Sequence, residues 1–462
     1  MTPTLKNLET GNKNRIYFTV SLLLAIGLTW WIREPAFTES QTYALFLLVF
    51  SVGLWLTEAV PPFAVGLFII AFLAYTLGNR MFISTPEDIK IYVNTFSSSV
   101  IWLMLGGFFL ASAMTKVKLD EVLIKGTLKL CGKNPKSILL GMMTVTMVSS
   151  MLISNTATTA MVVAALMPLL RKLGEKSPIS KALILGIPIA ATTGGMGTLI
   201  GTPPNAIAAA KLASVNQPID FITWILYGLP VAIILTGAAW WMLVKIFMKG
   251  VDTISLRAEV QDKKSKDDRP SAIQRWTVII ILAVTLTLWL TSPFHTLSAS
   301  AVSAIPLVFL PLTRILNGED IRGMGWDTLL LVAGGLSLGT ALQQTGLLDL
   351  YAQRIAGLRV PDIAFFFLLG YSTMLFSNIM SNTATTTVLI PLGMAILPNN
   401  QIEVAMIIGL TASTALFLPV STPPNAIAYS SGFIEQKDFR FGGVLIGLLG
   451  PALIIFWVLL IS

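Results

Sequence analysis

The string Ser154-Asn155-Thr156-Ala157-Thr158-Thr159 returns letter for letter at Ser381-Asn382-Thr383-Ala384-Thr385-Thr386. Each copy is polar and uncharged, and each lies inside a long apolar segment. Each is followed by a second string. Thr202-Pro203-Pro204-Asn205-Ala206-Ile207-Ala208 returns as Thr422-Pro423-Pro424-Asn425-Ala426-Ile427-Ala428. Paired polar interruptions in corresponding places of two apolar halves point to one site built from both halves. That is the pattern of a membrane carrier.

The background around the strings is suited to lipid. Of 462 residues, 54% are hydrophobic and 12% charged, against roughly a quarter charged in soluble domains. Apolar stretches of about 20 residues recur, which reads as a polytopic α-helical membrane protein. The short alternating segments of a β-barrel are absent from the pattern. A net charge of +8 would suit nucleic acid, but the basic residues cluster between apolar stretches, as membrane topology requires. One cysteine, Cys131, excludes an intramolecular disulfide and a Cys-rich metal site. One histidine, His295, excludes His-cluster metal sites and His-based triads. No small-residue cleavage site follows the apolar stretch 16–32, so it reads as a retained helix.

The expected fold is all-α, with about 11 transmembrane helices, two re-entrant hairpins and two inverted-topology repeats. Helices are expected near 16–32, 41–59, 63–79 and 100–115, the second and third joined by a Pro61-Pro62 turn. The uncharged run 137–170 has basic residues at both ends. It therefore has to enter and return on one side. A re-entrant hairpin tipped by Ser154-Asn155-Thr156 fits, because broken backbone at membrane depth must be buried or line a cavity. The run 182–210 is interrupted by Gly194-Gly195, Gly197, Gly201 and Pro203-Pro204, and reads as a broken helix. A helix over 221–244 and a charged linker over 250–275 close the first half. The second half repeats this plan. Leu288-Trp289-Leu290-Thr291 echoes Leu54-Trp55-Leu56-Thr57, and Gly334-Gly335 echoes Gly106-Gly107. A hairpin over 363–398, a broken helix over 402–430 and a last helix over 441–461 follow. With the N-terminus inside and the C-terminus outside, 25 of the 31 basic residues fall on the cytoplasmic side. Equivalent segments lie five crossings apart, an odd number, so the halves are inverted.

Both strings read as helix starts. Ser, Thr and Asn are good N-caps, and Pro suits the first helical position. Up to four helix N-termini therefore point at one central region, where their partial positive charge and free N–H groups hold anions without basic side chains. The hairpins and broken helices, by these boundaries, contain no Lys or Arg. Hydroxyls, Asn carbonyls and freed backbone carbonyls are hard neutral ligands for sodium. A proton relay would need buried carboxylates or histidines, and only Glu58 and Asp327 come near, at helix ends.

Two SNT motifs, each followed by a TPPN motif, resemble the divalent-anion/sodium symporter family, which includes the sodium-dependent dicarboxylate transporters. The resemblance covers essentially the whole chain. It implies a homodimer in the inner (plasma) membrane with a static scaffold and a transport part that moves as an elevator. On that division, 1–15 is a cytoplasmic tail, 16–136 and 276–361 are scaffold, and 137–249 and 362–462 are transport parts. The resemblance implies substrate contacts from Asn155, Thr156, Thr202, Asn382, Thr383, Thr422 and Pro423. It implies one sodium site at Ser150, Ser154, Asn155 and Gly201, and another at Ser377, Ser381, Asn382 and Ser421.

Taken singly, Ser, Thr and Gly in membrane helices serve packing. Four paired interruptions argue for a site instead. An intramembrane hydrolase would need a base that the lone His295 is badly placed to provide. A channel would pass solute without saturation. The expected function is sodium-coupled import of a C4-dicarboxylate such as succinate, malate or fumarate. A sodium/sulfate symporter and a sodium-independent dicarboxylate exchanger remain open.

Overall fold

The computed structural model describes residues 3–132, 134–174, 177–248, 270–356 and 360–462. Most of the expected linker, with Lys263, Lys264, Lys266 and Arg269, lies outside the described residues. Among those described, the secondary structure is helical throughout, with no strand.

The first half runs α1 (Pro3–Ile32), α2 (Glu39–Thr57), α3 (Pro62–Thr76), α4 (Lys90–Val93), α5 (Ser99–Lys116), α6 (Leu119–Leu130), α7 (Pro135–Ser150), α8 (Asn155–Leu173), α9 (Pro178–Gly195), α10 (Pro203–Ser214) and α11 (Phe221–Phe247). The second runs α12 (Ala272–Leu290), α13 (Ala299–Val302), α14 (Ala304–Leu312), α15 (Gly318–Arg322), α16 (Trp326–Gln344), α17 (Leu347–Ala356), α18 (Asp362–Ile379), α19 (Asn382–Ile396), α20 (Gln401–Thr411), α21 (Pro423–Ser430) and α22 (Phe439–Ile461). Eight helical stretches among the described residues are long and apolar enough to span a bilayer. Four more are apolar but shorter, and the second hairpin and broken helix account for two of them. The expected first helix extends back through the polar segment to Pro3, and the apolar stretch 299–312 is split at Ser303 into α13 and α14.

The breaks follow local chemistry. Capping boxes Thr38/Gln41 and Ser271/Gln274 start α2 and α12. In each half a tryptophan closes the next turn. Trp55 Nε1 donates to the Pro62 carbonyl at 3.4 Å, and Trp289 Nε1 to the Ala299 carbonyl at 2.9 Å. Both indoles are buried. His295 is not a freely solvated ring: Nε2 lies 2.8 Å from the Leu288 carbonyl and Nδ1 accepts from the Leu297 N–H at 3.2 Å.

The echoed glycine pairs mark close crossings. A Cβ at Gly334 would lie 2.2 Å from Gly66 Cα, so α3 and α16 meet backbone to backbone. A Cβ at Gly106 would lie 2.6 Å from Ser303 Cβ, where α5 crosses the α13–α14 break. Small residues admit such approach in membrane proteins. A large hydrophobic core joins α5, α7 to α11, α14 and α18 to α22, and a smaller one joins α2, α3, α16 and α17.

Packing contacts exchange between the halves. The motif-bearing α8 packs on α21, and its counterpart α19 packs on α10. Likewise α9 packs on α21, and α20 on α10. Each half's SNT helix thus leans on the other half's TPPN helix.

Candidate functional site

At the first tip, α7 stops at Ser150, residues 151–154 leave the helical path, and α8 begins at Asn155. Ser154 is the N-cap, its Oγ accepting the Ala157 N–H at 3.2 Å. The helix starts right after this cap, with Asn155 in its first turn. Ser150 Oγ donates to Asn155 Oδ1 at 2.6 Å. The end of α9 reaches this amide because Gly195 has no side chain; a Cβ there would fall 2.6 Å from Asn155 Oδ1.

The interruption at 196–202 is held from several directions. Thr198 Oγ1 donates to the Met151 carbonyl. Asn205 Nδ2 donates to the carbonyls of Gly195 (2.8 Å) and Thr198 (2.7 Å). Trp224 Nε1 donates to the Met196 carbonyl at 3.0 Å. Pro203 and Pro204 have no N–H to donate, which leaves the Leu199 and Ile200 carbonyls without their i+4 helical partners. Thr202 occupies the N-cap position of α10, but its side chain makes no capping bond, contrary to expectation. The Asn205 N–H, the donor such a cap would bind, lies instead 3.2 Å from the Thr202 carbonyl. Thr422 does cap α21, accepting the Asn425 N–H at 3.3 Å.

At the second tip, Ser381 caps α19 through the Ala384 N–H at 3.1 Å. Here Ser377 Oγ and Asn382 Oδ1 are buried with no hydrogen-bond partner. The interruption is held by Asn378, whose Oδ1 accepts the Phe417 N–H (2.9 Å) and the Ser421 hydroxyl (2.8 Å). Asn425 Nδ2 donates to the Leu418 carbonyl at 2.9 Å, matching Asn205 in the first half.

Of the sequence-derived candidates, Ser150, Gly201, Thr202, Ser377, Thr383, Ser421 and Thr422 are buried. Asn155, Ser381 and Asn382 are half-buried, while Ser154, Thr156 and Pro423 are exposed. Local hydrogen bonds join Ser150 to Asn155, and Asn378 joins α18 to Ser421. Further buried oxygens without partners stand on the motif helices and their flanks: Ser149, Thr158, Thr159, Asn205 Oδ1, Thr385 and Thr387. Buried polar atoms ordinarily find partners, so this concentration of neutral oxygens is what a cation or polar ligand would satisfy. No cluster of three or more His, Cys, Asp or Glu exists among the described residues.

Two features escaped the sequence reading. Asn378 carries no signal, because its counterpart in the first half is Met151, which contributes a backbone carbonyl. Lys211 was placed beyond the end of the broken helix. It lies within α10, nine-tenths buried, so that segment does contain a lysine. The helix continues past residue 210 because Ala208 to Leu212 are good helix formers with no breaker among them.

The citrate transporter (CitMHS) family matches residues 52–408. An uncharacterized transporter of Haemophilus influenzae is 31% identical, with 95% of each chain covered. The sodium-dependent dicarboxylate transporter SdcS of Staphylococcus saprophyticus is 28% identical over 95% of this chain and 88% of its own. SdcS of Staphylococcus aureus is 27% identical over 89% and 84%. Among solved structures, the YdaH transporter of Alcanivorax borkumensis has a similar fold, with a TM-score of 0.58 at 13% identity over 86% of this chain and 98% of that one. MtrF of Neisseria gonorrhoeae, described with a class of antimetabolite efflux pumps, gives 0.56 at 12% identity over 88% and 96%. Two polar strings repeated in two apolar halves, packed crosswise, are therefore the signature of a membrane transporter, and this chain belongs to the CitMHS citrate transporter family.

Proposed function

We propose that the protein imports a C4-dicarboxylate by sodium symport, with alternating access of the elevator type. The observation that carries this reading is the pair of Ser/Asn oxygen sets at the two tips, one of them with Ser377 Oγ and Asn382 Oδ1 buried and unpartnered. Neutral hard oxygens suit sodium. Ser150, Ser154, Asn155 and the Gly201 carbonyl would hold one ion. Ser377, Ser381, Asn382 and the Ser421 carbonyl would hold the other. Two cations beside four helix N-termini would offset a dianion at strings that carry no basic side chain of their own. Asn155, Thr156, Thr202, Asn382, Thr383, Thr422 and Pro423 would contact the carboxylates.

Coupling follows from that electrostatics. Sodium bound first orders the tips and lowers the cost of bringing two negative charges into lipid depth. The loaded transport parts then move against a scaffold, in a homodimer embedded in the plasma membrane. The sodium-dependent dicarboxylate transporters among the relatives support this reading. The family's own description favours citrate as the second substrate to test.

The test is radiolabelled succinate uptake into proteoliposomes, with an inward sodium gradient or with choline instead. Uptake only with sodium is expected. Sodium-independent uptake that needs preloaded dicarboxylate would make the protein an exchanger. Transport of citrate or sulfate without succinate would keep the fold and replace the substrate.

A further inference from the structure

Lys211 stands in the last turn of α10, and only 6% of its surface is exposed. Its ammonium donates to Gln343 Oε1 at 2.8 Å. No carboxylate pairs with it among the described residues. An ammonium has three donors, so this one is incompletely satisfied. A lysine that merely snorkels keeps its head in water; here the whole residue is covered. Gln343 belongs to the last turn of α16 and is itself exposed. One glutamine side chain therefore caps a buried positive charge at the seam between two helices. The negative end of the α16 dipole helps hold the charge there.

The second half has no equivalent. The residue three beyond the repeated seven-letter string is Ser431 there, and its hydroxyl turns back to the Ala428 carbonyl. A charge present on one side of a two-fold arrangement serves one side of the membrane. Ionisable residues within membrane segments are costly and mark solute pathways. The distribution of basic residues puts the end of α10 on the outer side.

We propose that Lys211 captures the anionic substrate at the outer mouth, and that Gln343 covers it when that side is closed. This rests on the dicarboxylate reading above. When α10 and α16 part, the ammonium meets water and attracts a dianion towards the helix N-termini, which carry only partial charges. When they close, it returns to Gln343.

The test compares full-length wild type with Lys211→Met and Lys211→Arg in proteoliposomes, as initial rates of succinate uptake. Lys211→Met is expected to raise KM roughly fivefold or more, keep Vmax within about twofold, and flatten the rise of KM with ionic strength. Lys211→Arg should recover most of the affinity. An unchanged KM, or a fall in Vmax alone, would overturn the proposal and leave the lysine a packing role. Should Lys211→Met fail to fold, Lys211→Cys in a Cys131→Ser background gives a second route. Coupling aminoethyl methanethiosulfonate to that thiol rebuilds an ammonium and should restore uptake. Equal recovery with the uncharged ethyl reagent would overturn the proposal. Wild type without succinate uptake would instead sink the dicarboxylate reading itself.

Discussion

The two tips have the same six letters and different surroundings. At the first, Asn155 is already engaged by Ser150, and α8 exposes Thr156, Ala157, Ala160 and Ala164. At the second, Asn382 Oδ1 and Ser377 Oγ lack partners, and Thr383 to Thr387 on α19 are all buried. The exposed face of α8 is small and partly polar. By contrast α22 exposes large apolar side chains, Phe441, Leu448 and Phe456. Identical sequence in two halves thus adopts one opened and one sealed environment. Under the alternating-access reading proposed above, exchanging these two environments would be the transport step.

The comparison can be broken most severely at the tips. Asn155→Ala and Asn382→Ala should each reduce uptake by tenfold to a hundredfold or more, since a bond to a charged partner is worth about 1.5–3 kcal/mol. Folding should survive, as judged by size-exclusion chromatography; sodium dependence and rate that stay unchanged in both variants would dissociate the tips from transport. Gly195→Ala should approach the same loss, because its Cβ would strike the Asn155 amide. In the second half that position after alignment on the TPPN string is Ala415, already with a Cβ.

A smaller effect separates the two staples. Asn378→Leu leaves the Phe417 N–H and the Ser421 hydroxyl without their acceptor, at a cost of about 1–3 kcal/mol per buried group. Thermal unfolding in detergent should shift down, and half-saturation by sodium should shift up. Met151→Leu should do far less, since the first staple is a backbone carbonyl. Equal shifts would show that the halves are braced alike.

The glycine crossings give a graded contrast in stability alone. Gly334→Ala drives a methyl into backbone at Gly66, while Gly106→Ala meets the Ser303 side chain. Overpacking costs about 1–3 kcal/mol, and the first variant should lie at the upper end. Smallest is Glu435→Gln. The exposed Lys437 ammonium, 2.8 Å away, holds the Glu435 carboxyl below its ordinary range. Its contribution is present at neutral pH and is lost as pH falls through that lowered pKa. Exposed pairs contribute little, so the melting temperature at neutral pH should not move measurably.

Much of this was legible in the letters. Long apolar runs, paired prolines and glycine doublets locate the helices and both interruptions, because helix breaking is a local property. The repeated strings locate the tips for the same reason. Asn378 and Lys211 were not legible. Their roles depend on what lies opposite, Phe417 and Ser421 for one and Gln343 for the other, and these partners are distant in sequence. The crosswise packing was equally hidden, since periodicity says which face is buried and not against what. Nor did length settle the spans: α10, α20 and α21 are too short to cross a bilayer individually.

That crosswise packing also bears on how the chain is made. The partner of α8 is α21, and the partner of α10 is α19. Start to start, α21 comes 268 residues after α8, and α19 comes 179 after α10. At about 5–20 residues per second, a ribosome takes roughly 9–54 s over these intervals. For that time the first half sits in the bilayer with its serines and threonines facing no mate. The nascent chain must be sheltered by the insertion machinery or by transient pairing until the last helices emerge. A truncated half would therefore be an orphan for quality control to remove, not half a carrier.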